Sequence, residues 1–175
     1  MLDFAPPGLE FLIYLAIAIV LVGFYMLVRK IKLNQLIRRE QLTNPTLFKF
    51  GVETSMAVSE NGKIAMVDFR LRTLVIDMKE IAEFEVILGR FCIMNAKASK
   101  NDGMIFRGIS DRLKPIFAEE EKFKEIIFII RLKKSGTISI NLYKSARPRA
   151  RVIPAKQQNI LRLFETLQTI EETIK

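Results

Sequence analysis

The sequence predicts one N-terminal transmembrane α-helix followed by a mainly β domain, a bent sheet or barrel closed by a C-terminal amphipathic helix. Three observations carry this. Residues 9–28, LEFLIYLAIAIVLVGFYMLV, hold one charge, Glu10, at their outer end. Short apolar runs separated by polar turns fill most of residues 55–143. From Ala155 the period changes to 3.6, with Ile160, Leu163, Phe164, Leu167, Ile170 and Ile174 on one stripe.

Residues 1–8 form a short tail, with Pro6 and Pro7 placed where a first helical turn tolerates proline. Residues 9–28 would make about 30 Å of helix, the thickness of a bilayer's hydrocarbon core. A helix satisfies its own backbone polar groups, so a run this apolar suits lipid. Tyr14 and Tyr25 lie toward its two ends, as interfacial aromatics do. A cleavable signal peptide would begin basic and have a shorter apolar core. Here the start carries Asp3 and Glu10, and the run passes straight into Arg29 and Lys30.

Residues 29–44 are a basic juxtamembrane helix or linker with Arg29, Lys30, Lys32, Arg38 and Arg39; no Lys or Arg precedes the apolar run. The positive-inside rule therefore expects the N-terminus outside and the rest in the cytoplasm. Leu33, Leu36 and Ile37 share one helical face, which suits either a solvated stalk or a packing surface for a neighbouring helix or the domain. Thr43-Asn44-Pro45 is expected to end the helix, because the residue before proline is pushed out of the α region.

Residues 45–175 are expected to be one domain, long enough for a hydrophobic core. Glu60-Asn61-Gly62 between two apolar runs predicts a hairpin. Strands are expected at 74–76, at 81–88 with Glu83 and Glu85 on a wet face, at 91–96 and at 104–109. Residues 110–123, with Pro115 and three consecutive glutamates, read as a surface loop with room for a helical turn. EIIFIIRL at 125–132 and GTISINLY at 136–143 form a second hairpin pair. The closing helix covers 155–174.

Composition narrows the chemistry. The chain has no histidine, which removes the commonest general base and metal ligand. Its single cysteine, Cys92, excludes an internal disulfide and sits in an apolar run that suits a buried structural thiol. The eight glycines form no phosphate-binding motif. Asp68, Asp77, Glu83 and Glu85 could in principle form a carboxylate metal site, but they read better as a solvated strand face. Asn101-Asp102-Gly103 lacks the rest of a calcium loop. No catalytic residue, cofactor or metal is therefore expected.

The formal net charge is +9. Residues 1–42 carry five Lys/Arg and three Asp/Glu, so most of the basic character belongs to the domain. Its sharpest feature is the loop 144–151, where Lys144, Arg147, Arg149 and Arg151 surround Pro148 with no acid nearby in sequence. It reads either as a charged linker or as a patch for phosphate groups or an acidic partner. Nucleic acid is disfavoured, because only Tyr143 would supply an interleaved aromatic.

The order of strands and closing helix, with Asn61-Gly-Lys-Ile-Ala, Leu74-Val-Ile-Asp77 and Ile81-Ala-Glu-Phe84-Glu as early strands, resembles the pleckstrin-homology-like (PH-like) barrel in its small bacterial membrane-anchored versions. The resemblance covers residues 50–175 and is one of pattern. It implies a non-enzymatic scaffold or adaptor in an inner-membrane protein complex, with lipid contacts through the anchor, other proteins as partners, and self-association as one form of partnership. A sensor of anionic lipid headgroups is the alternative, with a membrane-tethered nucleic-acid binder ranked below it; the first hairpin loop, Glu60 to Lys63, has one acid and one base where phosphoinositide-binding members carry basic residues.

Overall fold

A computed structural model describes residues 9–50, 54–89, 91–97, 105–118, 122–123, 125–134, 136–145 and 150–174. One helix, α1 (Leu9–Arg39), runs unbroken through the apolar stretch and the basic segment after it. At 1.5 Å per residue it is about 46 Å long. It ends before Pro45, in a Schellman-type turn. Leu42 N–H bonds to Ile37 O at 3.0 Å, Gln41 N–H to Arg38 O at 3.3 Å, and Gln41 takes the left-handed conformation (φ 53°). Leu42 and Ile37 meet in the same apolar cluster, which is the usual accompaniment of this turn. The helix thus stops earlier than the proline predicts, because its last carbonyls find partners first.

Sheet 1 is an antiparallel meander of β1 (Thr46–Phe50), β2 (Thr54–Val58), β3 (Lys63–Val67) and β4 (Thr73–Asp77), in that order. The β2–β3 connection is the expected Asn61-Gly62 turn, with Ser59 N–H bonded to Lys63 O at 2.9 Å. Gly62 has φ +79°, which favours glycine, and a Cβ there would stand 3.0 Å from the Ile174 Cδ1 methyl, which would have to shift slightly. β1 was not expected: only Phe48 and Phe50 mark its inner face, too short an alternation to read.

A 3-10 turn at Met78–Glu80 leads into sheet 2, formed by β5 (Ile81–Leu88), β6 (Phe91–Lys97), β8 (Glu125–Leu132) and β9 (Thr137–Lys144) in the order β6-β5-β8-β9. Between β6 and β8 the chain makes α2 (Ile109–Ala118) and β7 (Lys122–Phe123), and β7 pairs with β10 (Ala150–Arg151) in a two-stranded ladder. The last helix is α3 (Pro154–Thr173), with proline in its first turn as the sequence suggests.

Two expectations fail between β6 and β8. Of the strand expected at 104–109, the described residues 105–108 form bends and turns, and Ile109 already begins α2. The surface loop expected at 110–123 is instead largely helix, ten residues long with Pro115 inside. Proline removes one helical hydrogen bond, but Ile109, Leu113 and Phe117 at spacings of four are all buried and hold both sides of it.

The core lies between the two sheets and is closed by α2 and α3. Phe84, Val86 and Leu88 of β5 and Ile126, Phe128 and Ile130 of β8 face Phe48, Met56, Ile64 and Ile76 of sheet 1 within one cluster. Phe84 stacks on Phe106 at 5.1 Å between ring centres, and Phe128 meets Phe164 of α3 edge-on at 5.3 Å. The predicted stripe of α3 supplies Ile160, Leu163, Phe164, Leu167 and Ile170 to this core. Its other side is not simply wet. Glu171, 7% exposed, accepts from Ile105 N–H at 2.6 Å and Phe106 N–H at 2.8 Å; Gln168 Oε1 accepts from Gly108 N–H at 3.1 Å; and Glu165 accepts from Ser110 Oγ at 2.9 Å. These three side chains replace the backbone partners that a strand at 104–109 would have supplied.

Leu167→Ala should destabilise the folded domain by about 2–5 kcal/mol, since the residue is fully buried and its removal leaves a cavity. Urea unfolding followed by circular dichroism measures this. A change below about 0.5 kcal/mol, the scale of a surface substitution, would mean that α3 is not docked as described.

Candidate functional site

The two central strands of sheet 1, β2 and β3, are buried on both faces, which explains their near-continuous apolar reading. One face meets the core. The other carries Ala57, Ala65 and Val67, and onto it α1 lays Leu33, Leu36 and Ile37. Ala57 and Ala65 are direct cross-strand partners. Two side chains this small let a helix lie close to the strands.

The helix is held at both ends of this contact. Below it, the β2–β3 turn grips the end of α1. Asn61 Nδ2 donates to Gln41 O at 3.2 Å, Lys63 Nζ to Glu40 O at 3.2 Å, and Ser59 Oγ and Glu60 N–H to Thr43 O at 2.7 and 3.1 Å. Above it, the β3–β4 loop (residues 68–72) reaches up along α1 toward its apolar half. Tyr25 Oη donates to Phe69 O at 2.6 Å, and Lys32 Nζ donates to Leu71 O at 3.0 Å. Packing against the domain therefore begins at Tyr25, inside the apolar run, whereas residues 10–24 are exposed.

The β3–β4 loop is built around Asp68. Its carboxylate accepts from Arg70 N–H at 2.9 Å, Arg72 N–H at 2.9 Å and Arg72 Nε at 2.8 Å. Backbone bonds Asp68 N–H to Arg72 O and Leu71 N–H to Asp68 O, both 3.0 Å, close the turn, with Leu71 at φ 59°. Partial burial by itself would raise the Asp68 pKa, but the hydrogen bonds from Arg72 and Arg70 and the charge of Arg72 outweigh it and hold the carboxyl below its ordinary value. At the tip Phe69 is 54% exposed, with the Arg70 guanidinium 5.2 Å from its ring centre.

The basic residues after the apolar run take different places. Arg29 is 1% exposed, with its guanidinium 5.9 Å from the Tyr25 ring centre. Lys30 and Arg38 are exposed, Lys32 is half-buried on the loop carbonyl, and Arg39 pairs with Glu40 at 3.0 Å. Lys144 is exposed at the end of β9, opposite Glu125 in the ladder. Arg147, Arg149 and the Arg151 side chain lie outside the described residues, as do the Cys92 side chain and the turn at 101–103.

Among the described residues no group of acids forms a metal cluster. Asp77 caps the 3-10 turn by accepting from Lys79 N–H at 2.9 Å. Glu83 and Glu85 share Arg131 at 3.2 and 2.7 Å. Both carboxylates are more enclosed than a solvated strand face would be, since Ile87, Ile127 and Ile129 lie half-buried on that same side. A cleft of about 380 Å³ opens beside the β3–β4 loop, lined by Thr54, Asp68, Arg72, Thr73 and residues 137–140 of β9.

In comparisons with known proteins, no family model matches the chain, and neither the curated proteins nor the solved structures yield a match.

Two outcomes test this geometry. Ala65→Leu should cost about 1–3 kcal/mol and loosen α1 from sheet 1, because the added side chain has no room under the helix. Hydrogen exchange at the amides of residues 33–39 should quicken relative to the core strands. As for pH, a carboxylate with a lowered folded pKa stabilises above its unfolded value, about 3.9, and loses that contribution as pH falls through the folded value. Wild type should therefore lose more stability on acidification below about pH 4 than Asp68→Asn, by a small margin since the group is one-third exposed.

Proposed function

We propose that the protein is a non-enzymatic, single-pass membrane protein whose domain serves as a scaffold or adaptor for other proteins at one membrane face. The observation that carries this reading is the continuity of α1. Its first half is apolar and unburied, and its second half is docked on the domain without a break. A core helix of a soluble protein would be mostly buried, and a cleavable leader would have no reason to continue into a segment that completes the fold.

Length and composition support spanning, and the five basic residues that follow the apolar run support a cytoplasmic domain with the N-terminus outside. That arrangement fits a bacterial inner membrane. Two antiparallel sheets and a closing C-terminal helix support the PH-like reading at the level of layout. The adaptor role is supported by the absence of histidine and by a domain interior filled with aromatic and aliphatic side chains. Such a domain offers surfaces for partners, and α1 sets how those surfaces are presented.

The test combines three measurements on the full chain. It should stay in the membrane pellet through alkaline carbonate extraction. A reporter fused after Lys175 should be active only as a cytoplasmic protein, and strong activity of an alkaline phosphatase fusion there would reverse the orientation. Pull-down after mild detergent extraction should recover partner proteins. Changing Arg147, Arg149 and Arg151 together to Glu should lower their yield without unfolding the domain, as added salt should for the wild type. Unchanged recovery by the folded triple variant would reduce that loop to a linker.

A further inference from the structure

We infer that the β3–β4 loop is a second membrane contact, with Phe69 seated at the headgroup–acyl boundary of the leaflet on the domain's side and Arg70 at the lipid phosphates. The inference rests on the spanning role proposed for α1.

Depth is the first argument. The loop is tied to Tyr25, four residues before the charges begin at Arg29. Helical side chains lean toward the N-terminus, so the Tyr25 hydroxyl lies above its own Cα, deeper in the apolar run. At 1.5 Å per residue the Tyr25 Cα stands about 6 Å on the membrane side of the Arg29 Cα, and the Phe69 carbonyl is bonded to the Tyr25 hydroxyl. If α1 fills the hydrocarbon core with its apolar run, a loop at that height cannot avoid the lipid interface.

The second argument is polar satisfaction. A loop entering a region poor in water must pair its own backbone groups. Here the N–H groups of Asp68, Arg70, Leu71 and Arg72 are all bonded within the loop, and the carbonyls of Asp68 and Arg72 accept from it. The carbonyls of Phe69 and Leu71 accept from Tyr25 and Lys32 of α1. The Asp68 bonds are ordinary turn chemistry, and the two bonds to α1 are what set this loop apart.

Composition is the third. The tip presents one large exposed aromatic ring with a guanidinium over it, and Arg72 and Lys30 are exposed nearby or on the adjoining helix. An aromatic ring at the acyl boundary with cations at the phosphates is the chemistry of an interfacial anchor on an anionic leaflet. With α1 and the loop both engaged, the domain would be fixed in tilt and in rotation about the helix axis.

The chain contains no tryptophan, so Phe69→Trp gives a single reporter. The full-length variant is reconstituted in vesicles of phosphatidylcholine and phosphatidylglycerol, beside Leu47→Trp, an exposed position on β1 near the far end of the α1 contact. Emission from position 69 should be blue-shifted, strongly quenched by lipids brominated high on the acyl chain, and several-fold less quenched by aqueous iodide than emission from position 47. Should Phe69→Trp fail to fold, Arg70→Trp reads the same depth one residue on. Carbonate-resistant protein whose position-69 emission is water-like and fully open to iodide would overturn the loop contact while leaving the spanning helix standing. Protein released by carbonate would overturn both.

Discussion

The position of the domain relative to its long helix depends on how closely α1 lies against sheet 1. The contact is made possible by Ala57 and Ala65, which face each other across β2 and β3 and leave a shallow trough for Leu33 and Leu36. A sheet with one apolar face can be soluble without a partner, but a sheet apolar on both faces needs two covers. The core supplies one and the helix supplies the other. The helix is therefore part of the fold, and its direction is set by the strands beneath it.

Hydrogen bonds at the two ends of the trough convert that packing into a fixed geometry. The β2–β3 turn takes the carbonyls freed at the C-terminus of α1, which a solvated helix end would leave to water. The β3–β4 loop holds the other end through Tyr25 and Lys32. With the trough packed and both its ends bonded, the domain's direction follows that of α1. In the proposed membrane arrangement this docking would present the domain to partners in one orientation.

Much of the layout could be read from residue types, and the failures have physical causes. The apolar run, the Asn61-Gly62 turn and the stripe on α3 are local patterns with strong periodicity, and all three appear where expected. α2 was hidden because Pro115 and the acids after it are loop signals. The contrary signal, Ile109, Leu113 and Phe117 at helical spacing, was present but sparse. Glu171 sits beside the apolar stripe and reads as a wet residue. Only the fold brings it to the N–H groups of Ile105 and Phe106, more than sixty positions away.

The placement of the β3–β4 loop beside α1 was invisible for the same reason. Residues 68–72 read DFRLR, a charged break between two strands, and nothing local marks Phe69 as more than an exposed ring. Its meaning lies in a relation of height: a hydrogen bond to a tyrosine forty-four residues earlier places the loop beside the apolar run instead of beyond it. By contrast the basic loop at 144–151 stands out in sequence because charge is countable, yet charge says nothing of depth or direction. Local patterns reveal elements, whereas the position of an element relative to a membrane is a property of the packed whole. For a domain packed and hydrogen-bonded onto its helix, as this one is, every exposed side chain acquires a depth once that helix is placed.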